Sequence, residues 1–277
     1  MSQASPFDLV FIFFCLIVLG YCILAAYRGK NIFVRKISGI AAIDETIGRS
    51  IELGRPISFT SGLASIGPVF YACLSVLQHI ARKVASFNAK LFVPCYDPET
   101  LVLSDITIQN AYKKEKRFAN YDPGTTRYLS SSQFAFASGY IGIIQRENVG
   151  GAFLFGTYAA ESLILASAGQ EIGAMQVAAT TSNEQIPFFI TTCDYTLIGE
   201  ELFAAGAYLS QDPVQTGSLK AQDIIKSSLL VLIIVGVLIS TGISILDKPD
   251  SKNLSFKTWS KQMEQNNFLA QALKSKW

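Results

Sequence analysis

The residues able to do chemistry in this chain gather in its turns. Thr60-Ser61-Gly62, Cys95-Tyr96-Asp97, Gly156-Thr157-Tyr158 with Glu161 and Ser162, and Thr180-Thr181-Ser182-Asn183 each follow a short apolar run. Hydroxyls and backbone amides at such places hold an anion when a helix N-terminus opens behind them. A nucleotide or small metabolite is the ligand class this pattern suits. Its binding residues are expected to be Thr60, Ser61, Asp97, Thr157, Glu161, Thr180, Thr181 and Ser182. Glu161 would oppose a phosphate, and the chain has neither a Gly-rich phosphate fingerprint nor a Walker lysine. The same residue types also cap helices and close turns.

The remaining inventory points away from an enzyme. The chain has one histidine, His79, and five cysteines at positions 15, 22, 73, 95 and 193, without CxxC spacing. Zinc clusters and paired-histidine sites need more ligands than that. Cys95 and Cys193 have no evident base, so neither reads as a nucleophile. Asp44 and Glu45 are adjacent on a helical pattern, and adjacent helical residues do not point together. Asp194, Glu200 and Glu201 lack a second cluster to work with. No catalytic residue, metal ligand or cofactor is assigned. A net charge of +2 over 277 residues leaves no basic stripe for nucleic acid.

Two apolar runs must position whatever lies between them. Half of the residues are hydrophobic and 16% are charged. Leu9–Tyr27 and Ser227–Leu246 carry no charge. At ~1.5 Å per residue each is close to the ~30 Å needed to span a bilayer. No basic segment precedes the first run, so it reads as a retained anchor and not as a signal peptide. The second carries Gly236, Ser240 and Ser244 four apart, a spacing that lets membrane helices approach closely. Arg28, Lys30, Arg35 and Lys36 follow the first run. By the positive-inside rule they place the central part in the cytoplasm, with the N-terminus and C-terminal tail on the opposite side of the inner (cytoplasmic) membrane. The second run disagrees, since Lys220 and Lys226 precede it and Lys248, Lys252, Lys257 and Lys261 follow it, but the first run usually dominates.

Between the anchors the pattern is α/β. Ile40, Ile43, Ile47 and Ile51 predict a helix over 37–54. Ile57–Thr60, Lys90–Pro94, Ala152–Phe155 and Met175–Thr180 read as buried strands, alternating with helical patterns over 69–87, 99–116, 133–148 and 158–172. Alternation of this kind predicts a Rossmann-like, mostly parallel sheet with helices on both faces. The stretch 118–129 reads as irregular. Ile186–Thr192 reads equally as a strand or a short buried helix. Cys193–Leu209 reads as a helix ended by Asp212-Pro213, and Val214–Ser218 as an edge strand. Gly139 and Gly142 inside a helix suggest tight packing against another helix or subunit. The expected organisation is an anchor over 1–28, a juxtamembrane helix over 29–56, an α/β domain over 57–218, a membrane helix over 219–246 and an amphipathic tail over 247–277. Trp259, Met263, Leu269, Leu273 and Trp277 form the apolar stripe of that tail.

Four blocks carry a family resemblance: Ile43-Asp-Glu-Thr-Ile-Gly-Arg-Ser-Ile-Glu-Leu-Gly-Arg-Pro56, Tyr158-Ala-Ala-Glu-Ser162, Thr180-Thr-Ser182 and Cys193-Asp-Tyr-Thr-Leu-Ile-Gly-Glu-Glu201. Over residues 38–223 the chain resembles an uncharacterised family of prokaryotic membrane-anchored proteins. The resemblance implies a membrane-tethered α/β domain and brings no catalytic residues. The expectation is a scaffold that self-assembles or joins a larger membrane complex. Its partners would be the lipid bilayer and further protein subunits. The alternative is a membrane-tethered sensor that binds its ligand at the strand ends.

Overall fold

The computed structural model describes residues 6–28, 38–210 and 212–246, with side chains over 11–28, 39–210 and 212–242. The first part of the juxtamembrane segment (29–37), the amphipathic tail (247–277) and the Ser244 side chain lie outside the described residues. The chain forms two compact units, Leu19–Lys220 and Met1–Val18 with Ala221–Trp277.

The larger unit holds a six-stranded, all-parallel sheet in the order β3-β2-β1-β4-β5-β6. The strands are β1 (Ile57–Gly62), β2 (Leu91–Cys95), β3 (Thr126–Tyr128), β4 (Gly151–Thr157), β5 (Met175–Thr180) and β6 (Tyr195–Ile198). Parallel neighbours need a crossover, and each one here is a helix. These are α3 (Pro68–Phe87), α4 (Pro98–Lys114), α5 (Gln133–Arg146), α6 (Glu161–Glu171) and α7 (Ile186–Thr192). The order is that of a Rossmann-like sheet, with its topological switch between β1 and β4.

Burial on both faces explains why the central strands are continuous apolar runs. One face packs Phe59, Phe153, Phe155, Val177 and Leu197 against α3, α4, α2 (Ser38–Glu52) and α8 (Glu201–Ser210). The other packs Leu154 and Ala178 against α5, α6 and α7.

Several elements differ from the sequence reading. β6 and α8 replace the single helix expected over 193–209. Tyr195-Thr-Leu-Ile198 is strand-favouring, Gly199 at φ 57° closes it, and the Glu201 carboxylate accepts the Ile198 amide at 3.0 Å. Ile186–Thr192, open between strand and short helix in the sequence, is a helix. The stretch called irregular contains two 3-10 turns and β3. The helix expected from Tyr158 begins at Glu161.

Val214–Ser218 is not an edge strand; it opens α9 (Pro213–Leu246). The preceding helix stops at Ser210, as expected, and Asp212 Oδ1 accepts the Val214 amide at 3.1 Å, so Asp212-Pro213 also starts the next one. Among the described residues one helix, Pro213–Gly242, is long and apolar enough to cross a membrane. In α1 (Pro6–Tyr27), Phe11–Tyr27 is a shorter apolar helix.

Candidate functional site

Strand register gathers most of the expected residues at the carboxyl edge of the sheet. Gly62 pairs with Thr157 across β1 and β4, and Gly156 pairs with Thr180 across β4 and β5. Asp97 follows β2 on the same edge, at the start of α4, and its side chain makes no capping bond.

The crevice at the switch point is filled from within the chain. Tyr158 is buried, its hydroxyl donates to the Thr60 carbonyl at 3.1 Å, and its ring packs edge-on against Phe189. Gly62, at φ 60°, accommodates that ring, because a Cβ here would lie 2.6 Å from Tyr158 Cε1. Gly156, at φ 144°, admits the Ser61 carbonyl, which would stand 2.1 Å from a Cβ. Neither position tolerates a side chain without moving backbone or ring.

Internal side-chain bonds engage Thr60, Thr180 and Glu161, and backbone carbonyls of Thr157 and Ser182 close turns beside them. Thr60 Oγ1 donates to the Pro94 carbonyl at 3.2 Å and accepts the Gly62 amide at 3.1 Å. The Thr157 carbonyl accepts the Leu63 amide at 2.8 Å. Thr180 Oγ1 accepts the Ser182 amide at 3.1 Å, and the Ser182 carbonyl accepts from Gln185 and Ile186. Ser61 is buried, and Thr181 is half-buried beside Ser182.

Glu161 is fully buried and accepts from two neutral donors, the Ala159 amide at 3.0 Å and Gln133 Nε2 at 2.5 Å. Ser162 donates to Gln185 Oε1 at 2.6 Å. Thr60, Thr180, Glu161 and Ser162 are thus tied into bonds within the chain.

The Cys95 and Cys193 thiols are held protonated. Burial pushes the Cys95 thiol up to about 12, opposed in part by a hydrogen bond with Ser104. Burial also raises Cys193 to about 12; its hydrogen bond with Thr192 opposes the rise and the Asp194 charge adds to it. A thiol so shifted supplies almost no thiolate near neutral pH. His79 Nε2 lies 2.9 Å from Asp44 Oδ1, tying α3 to α2.

A cleft of about 360 Å³ opens at the opposite, amino-terminal edge, where the sequence reading placed nothing. Arg49, Gln170, Met175, Thr192, Cys193 and Asp194 are among its lining residues. The placement of α2 beside β5 brings Arg49 and Asp194 to one rim. Asp194 Oδ2 accepts the Gln176 amide at 2.7 Å and so holds the start of β5. The Gln176 side chain is turned toward α6. Its Nε2 donates to the Ala166 carbonyl at 2.8 Å, and its Oε1 lies where a Cβ on Gly169 would sit, 2.3 Å from it.

Of the residues expected to pack subunits, Gly139 meets Leu129 of its own chain, while Gly142 and Gly236 have open space around them. Ser240 is exposed.

The model of a family described as a domain of unknown function, DUF6754, matches residues 2–248. The chain belongs to this family. The match runs beyond the resembling blocks at both ends and takes in both apolar helices. No curated protein and no solved structure matches the chain.

Proposed function

We propose that this member of the family is a membrane-anchored structural protein whose α/β domain assembles with further protein subunits. The observation that carries the reading is a group of large apolar side chains exposed on α5, α6 and α7. Phe134, Leu163 and Ile190 are 59%, 42% and 56% exposed there. Large apolar side chains grouped on an exposed face mark interaction surfaces. The filled switch-point crevice supports the same reading, because Tyr158 occupies the place where an open parallel sheet takes its ligand. The sensor reading loses its main motivation for that reason.

In this reading α1 and α9 are both anchors. The domain lies in the cytoplasm and the two ends of the chain on the far side. The charge-free stretches of both helices and the basic cluster after Tyr27 support it. The test is the mass of the particle released from its own membrane into lipid nanodiscs. Particles holding more than one protein chain are expected. A single chain at native abundance overturns the proposal.

A further inference from the structure

α4 ends in a basic run, Lys113-Lys114-Glu115-Lys116-Arg117. Two lysines in the last turn suit the helix dipole. The dipole does not account for their neighbours. Val102, Ile106 and Lys113 share one stripe of α4 at helical spacing, and Val102 and Ile106 are 53% and 49% exposed. Three contacts join this stripe to the end of α3. Arg82 donates to Glu115 at 2.7 Å, Asn120 donates to Asn88 at 2.9 Å, and Lys113 Nζ stands 5.1 Å from the centroid of the Phe118 ring. The result is one surface on α3, α4 and the 3-10 turn Phe118–Asn120. Phe87 and Phe118 are exposed on it, beside Arg82, Lys83, Lys114, Lys116 and Arg117.

The acids around this surface are engaged or distant. Glu115 holds Arg82, and Asp44 Oδ1 lies 2.9 Å from His79 Nε2 and 3.7 Å from Lys83 Nζ. Asp105 and Asp122 accept hydrogen bonds from within the chain. The exposed Glu99 is at the opposite, amino-terminal end of α4. Lys114, Lys116 and Arg117 pair with no acid among the described residues. A net charge of +2 thus conceals a local excess of positive charge.

This mixture selects the occupant. Apolar side chains bordered by lysine and arginine are what an anionic lipid surface takes. A nucleic acid strand calls for a row of open rings. Phe118 is already stacked on Tyr121 and has Lys113 over its ring, which leaves Phe87 alone. The surface is also continuous with the place where the apolar helices join the domain. Gln215, in the first turn of α9, donates to Ser75 Oγ of α3 at 3.0 Å. A Cβ on Gly217, in the next turn, would lie 2.9 Å from Ile23 Cα of α1. Phe87 is only ~18 Å along α3 from Ser75.

We infer that the α3–α4 face rests on anionic headgroups of the bilayer in which α1 and α9 are anchored. The inference rests on that anchoring and adds a second, electrostatic contact made by the domain itself. A cytoplasmic leaflet supplies the negative charge.

The test uses the full chain in lipid nanodiscs, with benzoylphenylalanine in place of Ile106 or, as a control, in place of Phe134 on α5. Discs are made of phosphatidylcholine with or without phosphatidylglycerol. In discs with phosphatidylglycerol, light should attach lipid at position 106 at least about fivefold more than at position 134, as read by mass spectrometry. About fivefold is the effect of one basic residue near an anionic surface. Lys114→Glu, Lys116→Glu and Arg117→Glu together should remove this excess. Discs of phosphatidylcholine alone, which change no residue, should do the same. The three side chains are exposed, so thermal unfolding of the triple variant should match the parent chain. Equal attachment at the two positions would overturn the inference. So would attachment at 106 that ignores both the lipid charge and the three glutamates. A protein or nucleic acid attached at 106 in place of lipid would assign the face to that partner and overturn the inference as well. In each of these cases the chain is held in the disc and the anchoring stands. A chain that does not enter discs would overturn both.

Discussion

Arg55 shows what one residue of a resembling block does. Its guanidinium donates to the Asn148 carbonyl at 2.8 Å, the Asn148 side-chain oxygen at 2.5 Å, the Val149 carbonyl at 2.9 Å and the Ile172 carbonyl at 3.0 Å. Those oxygens lie just past the ends of α5 and α6, and the bonds hold the two helix exits together. Lysine lacks the planar fork that reaches several acceptors at once. Arg55→Ala should cost about 2–3 kcal/mol in urea unfolding, and Arg55→Lys should recover less than half of it. An unchanged midpoint for Arg55→Ala would remove the clamp. The buried thiols lead to a second expectation. Cys95 and Cys193 stand near 12 in the fold against an ordinary 9.0, so the native state keeps protons that the unfolded state releases. Their contribution is complete below pH 9 and is lost as pH rises toward 12. The urea midpoint should therefore fall from pH 9 upward. A flat profile through that window would contradict the burial of these thiols.

At the scale of elements, long apolar strands were legible and short ones were not. β1, β2, β4 and β5 are buried on both faces and so read directly as apolar runs. β6 has four residues, half of them partly exposed, and its apolar positions continue the helical spacing of α8. β3 has three residues and no apolar run at all. Side chains hold it in place. Asp105 of α4 accepts from the Tyr121 hydroxyl, from Thr126 Oγ1 at 3.0 Å and from Gln109 Nε2 at 2.9 Å. Asp105→Asn keeps the shape but turns an amide toward groups that need an acceptor. Backbone amides over 118–128 should then exchange faster by about tenfold or more, with β4 and β5 unchanged, since one hydrogen bond to a charged group is worth ~1.5–3 kcal/mol. Equal exchange in both chains would mean that β3 is held by backbone pairing alone.

For the whole molecule, the sequence placed the candidate edge correctly but not what occupies it. Thr60, Thr157 and Thr180 follow strands, so their common edge could be read from strand order alone. That Tyr158 closes the crevice depends on the Gly62–Thr157 register and on two glycines with positive φ, neither of which a single sequence displays. The apolar ends were legible by length and lack of charge, and their role is open to a direct test. Arginine at the centre of a membrane helix costs ~2.5–3.5 kcal/mol, so two in one helix oppose insertion by roughly 5–7 kcal/mol. Leu232→Arg with Val235→Arg applies this to α9, where both side chains are exposed. Phe14→Arg with Ile17→Arg applies it to α1, again at exposed positions. If both helices anchor the chain, either pair alone leaves the protein in the membrane pellet after alkaline washing, and only the four-arginine chain is released. None of these positions contributes to the α/β core, so protease resistance of the domain should be the same in every variant. Release by the α9 pair alone would remove α1 from the anchors, and with it the argument that places both ends of the chain on one side of the membrane. Retention of the four-arginine chain would mean that the domain itself binds the bilayer.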